Sequence, residues 1–231
     1  MATSLSLIGR GLYSVSEAQR LSKVSAGRIR RWMRGYTWTR GEEEHFSPPI
    51  IATHIGRIDG SLALDFGDLI EIRFLDAFRK HGVSWWAIRL ASERASELIG
   101  HRHPFSTRKF KTDGRTILAE LVQPTGDRSL LDLVRNQYAL EQVIAPYLYE
   151  GLVFNPRDEP MQWHPLGNHR EVVLDPTRAF GAPIVKREGV PTRVLFNCFS
   201  AEESVKTVAS WYEVSEKSAS DAIEYEQSLA A

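Results

Sequence analysis

The sequence predicts a mainly α-helical protein with small β elements, an α+β fold in which a winged helix-turn-helix-like region precedes a small C-terminal domain. Three observations predict this fold. Pairs of short amphipathic helices recur along the 231 residues, serines and glycines stand where those helices should begin and end, and strand-like stretches lie between the pairs. The length suits one large domain or two to three small ones.

The composition is that of a globular chain with a substantial core. Hydrophobic residues make up 42% and charged residues 25% of the sequence. The single cysteine, Cys198, excludes an internal disulfide framework and fits a reducing compartment. The first residues lack the apolar run of a signal peptide, and no stretch reaches the length of a membrane span. We therefore expect a cytoplasmic protein.

The first helical pair lies in residues 11–36, GLYSVSEAQRLSKVSAGRIRRWMRGY. Its apolar side chains fall at helical spacing, at Leu12, Val15, Ala18, Leu21, Val24, Ile29 and Trp32. Helices near residues 16–22 and 26–34 fit this pattern, with Ser25 at the N-cap of the second and Gly35 at its end. Two short helices joined by a tight turn are typical of a helix-turn-helix.

Arginine is concentrated on the second of these helices. Its four arginines, beside the inward-facing Ile29 and Trp32, are Arg28, Arg30, Arg31 and Arg34. The guanidinium group binds phosphates and can pair with guanine through two hydrogen bonds, so we predict that these residues contact DNA. A solvated basic helix face is the alternative.

The two ends of the chain differ in charge. Residues 1–40 hold eight lysines and arginines against one acid (net +7), and residues 200–231 hold seven acids against two lysines (net −5). The formal net charge of zero therefore does not argue against a nucleic-acid partner at the N-terminal end.

The middle of the chain predicts a wing and a second helical pair. Residues 37–64 are interpreted as a connector with short strands that could form part of a wing. Residues 65–100 carry two helices, the first ending at Gly82 and the second running from an N-cap at Ser84 to Gly100. The dipeptide Asp113-Gly114 predicts a β-hairpin over 108–121. This basic hairpin would be a wing that presents Arg108, Lys109, Lys111 and Arg115.

The remaining sequence predicts a long helix and then a C-terminal domain. The helix covers residues 129–150 and either connects domains, forms a dimer seam or packs on its own domain. Residues 170–176 and 190–196 are strand candidates. Two final helices follow, one with a capping-box spacing at Ser200 and Glu203 and one beginning at Ser215. Because this last pair is acidic, a protein partner suits it better than DNA.

No motif assigns a reaction. The sequence contains no nucleophile elbow, P-loop or zinc-protease motif. His101 and His103 form a single loose pair, whereas metal sites usually show two clusters of closely spaced ligands. Cys198 lies in an apolar setting that indicates a packed side chain. We expect no catalytic residue, no metal and no cofactor.

Three stretches carry a family resemblance. Residues 11–36 resemble the opening of MerR-like helix-turn-helix proteins. DLIEIRFLDAFRKHGVSWWAIRLASERASELIGHRHPFSTRKFKTDGR resembles the middle of VapB-type antitoxins that carry a MerR-like region. REVVLDPTRAFGAPIVKREGVPTR and SAEESVKTVASWYEVSEKSASDAIEY are similar to the antitoxin-associated domain of unknown function that ends such chains. Together these stretches cover most of residues 11–227.

The resemblance implies an antitoxin of a type II toxin–antitoxin module. It would bind a VapC-like, PIN-domain ribonuclease toxin and, as a homodimer, its own operator DNA. It further implies a MerR-like DNA-binding region over 1–125, a connecting helix and loop over 126–165 and a toxin-binding domain over 166–231.

The resemblance implies inhibition of the toxin through a flexible C-terminal tail that carries arginine or lysine. This chain departs from that pattern, because no arginine follows residue 200. The candidates for toxin contact are therefore Arg178, Lys186, Arg187 and Arg193, with Trp211 and Tyr212 of the last helices. The alternative function is a MerR-like transcription regulator that senses a small molecule through Trp85, Trp86 and Trp163.

Overall fold

The computed structural model describes residues 8–80, 82–112 and 148–230. The chain divides into two compact units. Of the described residues, the N-terminal unit contains 13–80, 82–112, 148–149 and 154–160, and the C-terminal unit contains 8–12, 150–153 and 161–230. Helices with small sheets make up both units, so the predicted α+β class is confirmed.

The N-terminal unit begins with the predicted helix-turn-helix. Its elements are β1 (Tyr13–Ser14), α1 (Val15–Ser22), α2 (Ala26–Arg34), β2 (Tyr36–Arg40), β3 (Glu43–Ser47), β4 (Arg57–Ile58), β5 (Ser61–Leu64), α3 (Phe66–Lys80) and α4 (Trp85–Ile99). Ser14 caps α1 through a reciprocal capping box with Glu17. Ser84 caps α4, and Gly100 ends that helix in the left-handed conformation, as the sequence predicts.

Two tight hairpins separate the helical pairs. Strands β2 and β3 pair antiparallel, with Trp38 opposite His45, around a turn at Gly41-Glu42. Strands β4 and β5 are joined by Asp59-Gly60, whose φ angles of 48° and 75° suit a type I′ turn. Strand β5 also pairs with β1, so the order of this sheet is β1-β5-β4. The sheet therefore connects the start of the helix-turn-helix to the strand that precedes α3.

The C-terminal unit packs three helices against short strands. Its elements are β6 (Leu152–Phe154), β7 (Pro160–Trp163), β8 (Val172–Leu174), a short 3-10 helix (Ala179–Gly181), β9 (Pro183–Val185), α5 (Thr192–Glu202), α6 (Val205–Trp211) and α7 (Glu216–Ala230). The sheet order is β6-β7-β8-β9. Its core contains Val185, Leu195, Val208, Ala209, Val214, Ala219 and Ala222. A bond from the Thr192 hydroxyl to the buried Glu226 carboxylate (2.5 Å) joins α5 to α7.

Three predicted elements of the sequence differ from the structure. Residues 190–196 are not a strand, because α5 begins at Thr192 and buries Leu195 in the core. Ser200 therefore lies inside α5, and Ser204 is the residue that caps α6. The hairpin predicted over 108–121 is wrong for residues 108–112, which are helical.

Some predictions fall outside the described residues. Asp113, Gly114 and Arg115 are among them, as is most of the helix expected over 129–150. The predicted division at residues 125 and 165 stays a prediction. None of the helices in the described ranges is both long enough and apolar enough to cross a bilayer.

Candidate nucleic-acid interface

Helix α2 presents its arginines to solvent because its apolar face is fully used in packing. Ile29, Trp32 and Met33 are buried in the N-terminal unit. The four predicted DNA-contacting residues, Arg28, Arg30, Arg31 and Arg34, are all exposed. The sequence pattern therefore places a basic, accessible face on the second helix of a helix-turn-helix, which is the helix that such motifs insert into the major groove.

The four arginines differ in their surroundings. The Arg28 guanidinium lies 3.1 Å from the buried carboxylate of Asp76 on α3, which also receives Lys80 at 2.8 Å. The Arg31 guanidinium lies over the Tyr36 ring, 5.6 Å from its centroid. Arg30 and Arg34 form no ion pair with any residue that the structure describes. Arg28 therefore fastens α2 to α3, and the other three carry charge that no acid among the described residues neutralises.

The β2–β3 hairpin directly follows α2 and is largely exposed. Every residue of β2 is exposed, and Trp38 stacks on His45 with centroids 4.5 Å apart. Phe46 on β3 is 63% exposed. An exposed two-stranded ribbon beside the second helix is the wing of a winged helix-turn-helix. Residues 36–47 therefore have the form of a wing, in the stretch that the sequence interprets as a connector with short strands. Of the second predicted wing, residues 108–112 are helical and residues 113–121 lie outside the described ranges.

A basic groove runs between α2, this hairpin and the α3–α4 turn. It encloses about 520 Å³ and is lined by Arg28, Arg31, Trp32, Tyr36, Trp38, Ser47, Pro48, Ile50, Arg79, Lys80, Trp85, Trp86 and Arg89. Five of these side chains are cationic, five are aromatic and none is acidic. The groove is therefore suited to a ligand that combines negative charge with flat apolar surface.

Packing and hydrogen bonds hold the walls of the basic groove in place. Trp32 and Trp85 meet edge to face with centroids 5.3 Å apart, and the Arg79 guanidinium lies over Trp85. Arg89 on α4 donates to the Pro48 carbonyl (2.7 Å) and to two further acceptors at the end of β3. The hairpin is thus anchored to α4.

Sequence reasoning missed this second basic wall, formed by Arg79, Lys80 and Arg89. Its residues lie about 50 positions after α2, so only the fold brings them to that helix. The hairpin does leave a signal in the sequence, since YTWTR alternates aromatic and β-branched residues before Gly41.

The predicted basic residues after α4 have other contacts. Lys109 donates to the Leu98 carbonyl (3.4 Å), and the Lys111 ammonium lies over the Tyr149 ring at 5.5 Å. Neither residue lines the basic groove. Arg108 lies 3.6 Å from Asp158 and over the Phe154 ring. These three side chains are therefore engaged within the N-terminal unit.

The predicted toxin-contacting residues separate into two groups within the C-terminal unit. Arg178 is half-buried and donates to the Lys186 carbonyl (2.8 Å), while Lys186 donates to the Asn168 carbonyl (3.2 Å). Arg187 and Arg193 are exposed and make no ion pair with any other described residue.

The two aromatic candidates on or beside α6 also differ. Trp211 is 62% exposed, and Tyr212 packs partly against the core. Trp163, which the alternative function assigns to a sensing pocket, is buried on β7 and does not line the basic groove.

A buried ionisable cluster lies apart from the basic groove, at the start of α3. Asp65, Asp68 and His103 bring one ligand atom each to within 4.8 Å of one another. Burial, with the neighbouring charge of Asp65, raises the pKa of Asp68 to about 7. Burial lowers the pKa of His103 to about 3, so its imidazole is neutral. This group is the one set of side chains in the described ranges with the spacing of metal ligands.

Comparison with known proteins agrees with this two-part construction. Residues 11–92 match a family described as "Putative DNA-binding HTH domain", and residues 172–225 match "Protein of unknown function (DUF433)". The chain therefore carries a helix-turn-helix domain of the DNA-binding type and a separate C-terminal domain.

Two relatives resemble the chain over most of its length. The curated protein "Putative antitoxin VapB45" of Mycobacterium tuberculosis is 27% identical over 222 residues, covering 92% of each chain. The crystal structure of Rv2018 from Mycobacterium tuberculosis superposes with a TM-score of 0.70 at 25% identity, covering 91% of this chain and 96% of that one. The predicted resemblance to a VapB-type antitoxin with a helix-turn-helix region is thereby confirmed.

Proposed function

We propose that this protein is an antitoxin that binds operator DNA through its N-terminal unit and a ribonuclease toxin through its C-terminal unit. The observation that carries the DNA half is the acid-free basic groove beside the exposed arginines of α2. The similarity to an antitoxin over 92% of the chain supports the toxin half.

The DNA half follows from charge and shape. Arg30, Arg31 and Arg34 are accessible and lack an acidic partner among the described residues, so they can bind phosphates or the guanine edge. The hairpin and the α3–α4 turn flank α2 with further cations and aromatic rings. Binding should place α2 in the major groove, while the hairpin and the α3–α4 turn contact the phosphate backbone. A homodimer would present two such faces to an operator with two half-sites.

The toxin half follows from unpaired charge and exposed apolar surface. A VapC-like PIN-domain toxin holds its metal with clustered acids, and Arg187 and Arg193 are accessible cations of the C-terminal unit that could neutralise them. Trp211 offers a large exposed aromatic surface of the type that is enriched at interfaces. On this proposal the protein acts in the cytoplasm by binding alone, without catalysis, and represses its own operon.

The test of the DNA half is an affinity measurement with the DNA upstream of the protein's own operon. We expect log affinity to fall linearly with log salt, because each neutralised phosphate releases counterions. Arg31→Ala should weaken binding by about 1–3 kcal/mol. The slope of log affinity against log salt should become shallower by about 1, the value for one lost phosphate contact.

Arg94→Ala is the matched control, because Arg94 is an exposed arginine of the same unit that pairs with Glu97 on α4 at 3.0 Å and does not line the basic groove. Its operator affinity should equal that of the wild type. Salt-independent binding, or equal losses in both variants, would contradict the proposed interface.

A second candidate function has one observation in its favour. Trp85 and Trp86, proposed for small-molecule sensing, do line the basic groove, together with Trp32 and five cations. A flat anionic effector would fit such a lining. If that function holds, a small aromatic anion will quench tryptophan fluorescence and change operator affinity. An antitoxin without an effector predicts no such change.

A further inference from the structure

Three ionisable side chains from two separate segments meet inside the N-terminal unit. Asp65 and Asp68 stand at the start of α3, and His103 stands on the segment after α4. The three are 4%, 0% and 1% exposed. His103 Nε2 lies 3.3 Å from Asp68 Oδ1 and 3.8 Å from Asp65 Oδ1.

The rest of the cluster is already occupied by hydrogen bonds that fix both carboxylates. Asp68 Oδ2 accepts the Asp65 backbone N–H (2.9 Å), and Asp65 Oδ1 accepts the Asp68 backbone N–H (2.8 Å). Arg102 pairs with the other oxygen of Asp65. Hydrogen bonds and the Arg102 ion pair therefore fix both carboxylates in place, as is usual for metal-binding carboxylates in proteins.

Two atoms that face the centre of the cluster have no hydrogen bond. Asp68 Oδ1 and His103 Nε2 are buried and unpartnered among the residues that the structure describes. Buried polar atoms without partners are costly and call for an explanation. The two atoms lie 3.3 Å apart, so one bound species could satisfy them together.

We propose that Asp65, Asp68 and His103 bind a single Zn²⁺-type divalent cation. Ligands at about 2.0–2.1 Å around a tetrahedral ion lie about 3.3–3.4 Å apart. The 3.3 Å between Asp68 Oδ1 and His103 Nε2 agrees with this spacing, and Asp65 Oδ1, 3.8 Å from Nε2, would move about 0.5 Å closer on binding. One imidazole nitrogen with carboxylate oxygens is a donor set that zinc accepts.

Gly67 provides the room for this arrangement. A Cβ atom at position 67 would lie 2.7 Å from His103 Cδ2 and 3.1 Å from His103 Nε2. Any larger residue would push the imidazole away from the first turn of α3. The absence of a side chain there allows His103 to reach the two carboxylates.

A cation at this position would join the start of α3 to the segment that follows α4. Glu71, one turn further along α3, already accepts the backbone N–H groups of Phe105 and Ser106. The metal would add a second connection between α3 and the segment that follows α4. Its role would be structural, independent of whether the proposed antitoxin function holds.

The experiment uses the full-length chain without an affinity tag, treated with EDTA and then titrated with Zn²⁺ in a calorimeter. We expect one Zn²⁺ per chain, retained through gel filtration and counted by elemental mass spectrometry, and a melting temperature several degrees above that of the metal-free chain. Asp68→Asn keeps an oxygen for the Asp65 N–H but loses the anionic ligand, so its affinity should fall at least tenfold. His45→Ala, on the exposed hairpin, should bind as the wild type does.

Co²⁺ substitution in the wild type gives a measurement that needs no variant, since a tetrahedral site with a nitrogen ligand absorbs intensely in the visible region. The proposal fails if Zn²⁺ is not retained and does not raise the melting temperature. In that case His103 and Asp68 share a direct hydrogen bond. It fails equally if binding persists unchanged in Asp68→Asn and His103→Gln, which would locate the metal elsewhere.

Discussion

Gly35 is the residue on which the geometry of the candidate interface depends most directly. It ends α2 with φ 74° and ψ −176° and leads into β2. A Cβ atom at this position would lie 2.4 Å from the Ser47 carbonyl oxygen and 2.8 Å from the Phe46 ring. The chain can therefore pass from α2 into the hairpin, with β3 returning against it, only because the residue has no side chain.

Replacing Gly35 by Ala should destabilise the protein and displace the hairpin. Positive φ alone costs a non-glycine residue about 1–2 kcal/mol, and the backbone contact with Ser47 adds to that. We expect a loss of about 2 kcal/mol or more in the free energy of unfolding, measured by urea denaturation.

Gly27→Ala is the matched control, because Gly27 lies on the same helix and an added Cβ atom there would meet no other atom within 4 Å. That variant should leave stability unchanged or raise it by up to about 1 kcal/mol. Equal effects of the two substitutions would show that the turn after α2 is not constrained as described.

Residue roles that depend on near neighbours can be predicted from the sequence, and those that depend on distant partners cannot. Ser84 and Gly100 are recognisable as helix ends because capping is local. Arg28 looks like its three neighbouring arginines in the sequence, yet its partner Asp76 is 48 positions away. The Asp65, Asp68 and His103 cluster escapes prediction for the same reason, since its histidine lies 35 positions beyond Asp68.

At the scale of elements, the turn dipeptide Asp-Gly occurs twice, and the structure confirms a hairpin at the first of the two places. Asp59-Gly60 forms the turn between β4 and β5, where both residues adopt positive φ. Asp113-Gly114 predicts a hairpin turn, but the residues leading into it, 108–112, are helical. A turn dipeptide fixes a hairpin only when the flanking segments find strand partners, and that is decided by tertiary contacts.

Residues 190–196, predicted as a strand, are a second case in which tertiary packing decides the secondary structure. The stretch VPTRVLF is rich in β-branched and aromatic residues, which favours a strand. In the structure α5 instead buries Thr192 and Leu195 and packs along α7. The gain from burying this face exceeds the weak intrinsic preference for a strand.

Helix capping gives a prediction at this scale. The Ser84 hydroxyl accepts the Ala87 backbone N–H at 3.1 Å, so Ser84→Ala should cost about 1 kcal/mol of stability. Ser25 occupies the N-cap of α2 but makes no such bond, and the Gln19 side chain accepts the Ala26 N–H instead. Ser25→Ala should therefore cost less than about 0.5 kcal/mol.

Chemical denaturation of the two serine variants, beside the wild type, measures the difference. If Ser25→Ala proves as costly as Ser84→Ala, the N-terminus of α2 must depend on its own cap and not on Gln19. The comparison also checks how firmly α1 and α2 are linked, because Gln19 belongs to α1.

At the scale of the whole molecule, the neutral net charge is the sum of two unlike ends. The basic residues of α2 and the basic groove belong to the N-terminal unit, and the acidic helix α7, with Glu216, Asp221, Glu224 and Glu226, belongs to the C-terminal unit. The sequence shows this asymmetry from charge counts alone, because charge is additive and needs no fold. Knowing which cations remain accessible requires the structure, since Lys109 and Arg178 are engaged with backbone carbonyls.

This division predicts that the two binding activities can be removed separately. Each unit carries a strongly exposed tryptophan, Trp38 on the hairpin (43%) and Trp211 at the end of α6 (62%). Because both side chains are already in solvent, truncation to alanine should leave the fold stable. A tryptophan buried by a partner commonly contributes about 2 kcal/mol or more, or about 30-fold in affinity.

Trp38→Ala should therefore weaken operator binding and leave toxin binding unchanged, the toxin being the protein expected from the neighbouring gene. Trp211→Ala should do the reverse. Operator affinity by fluorescence anisotropy and partner affinity by calorimetry, measured on the same full-length preparations, give the four values needed. Loss of both activities in either folded variant would contradict a division of labour between the units, because a change on one surface would then be felt at the other. If Trp211→Ala changes neither activity, the partner must approach the C-terminal unit by another face, with Arg187 and Arg193 as the residues to replace next.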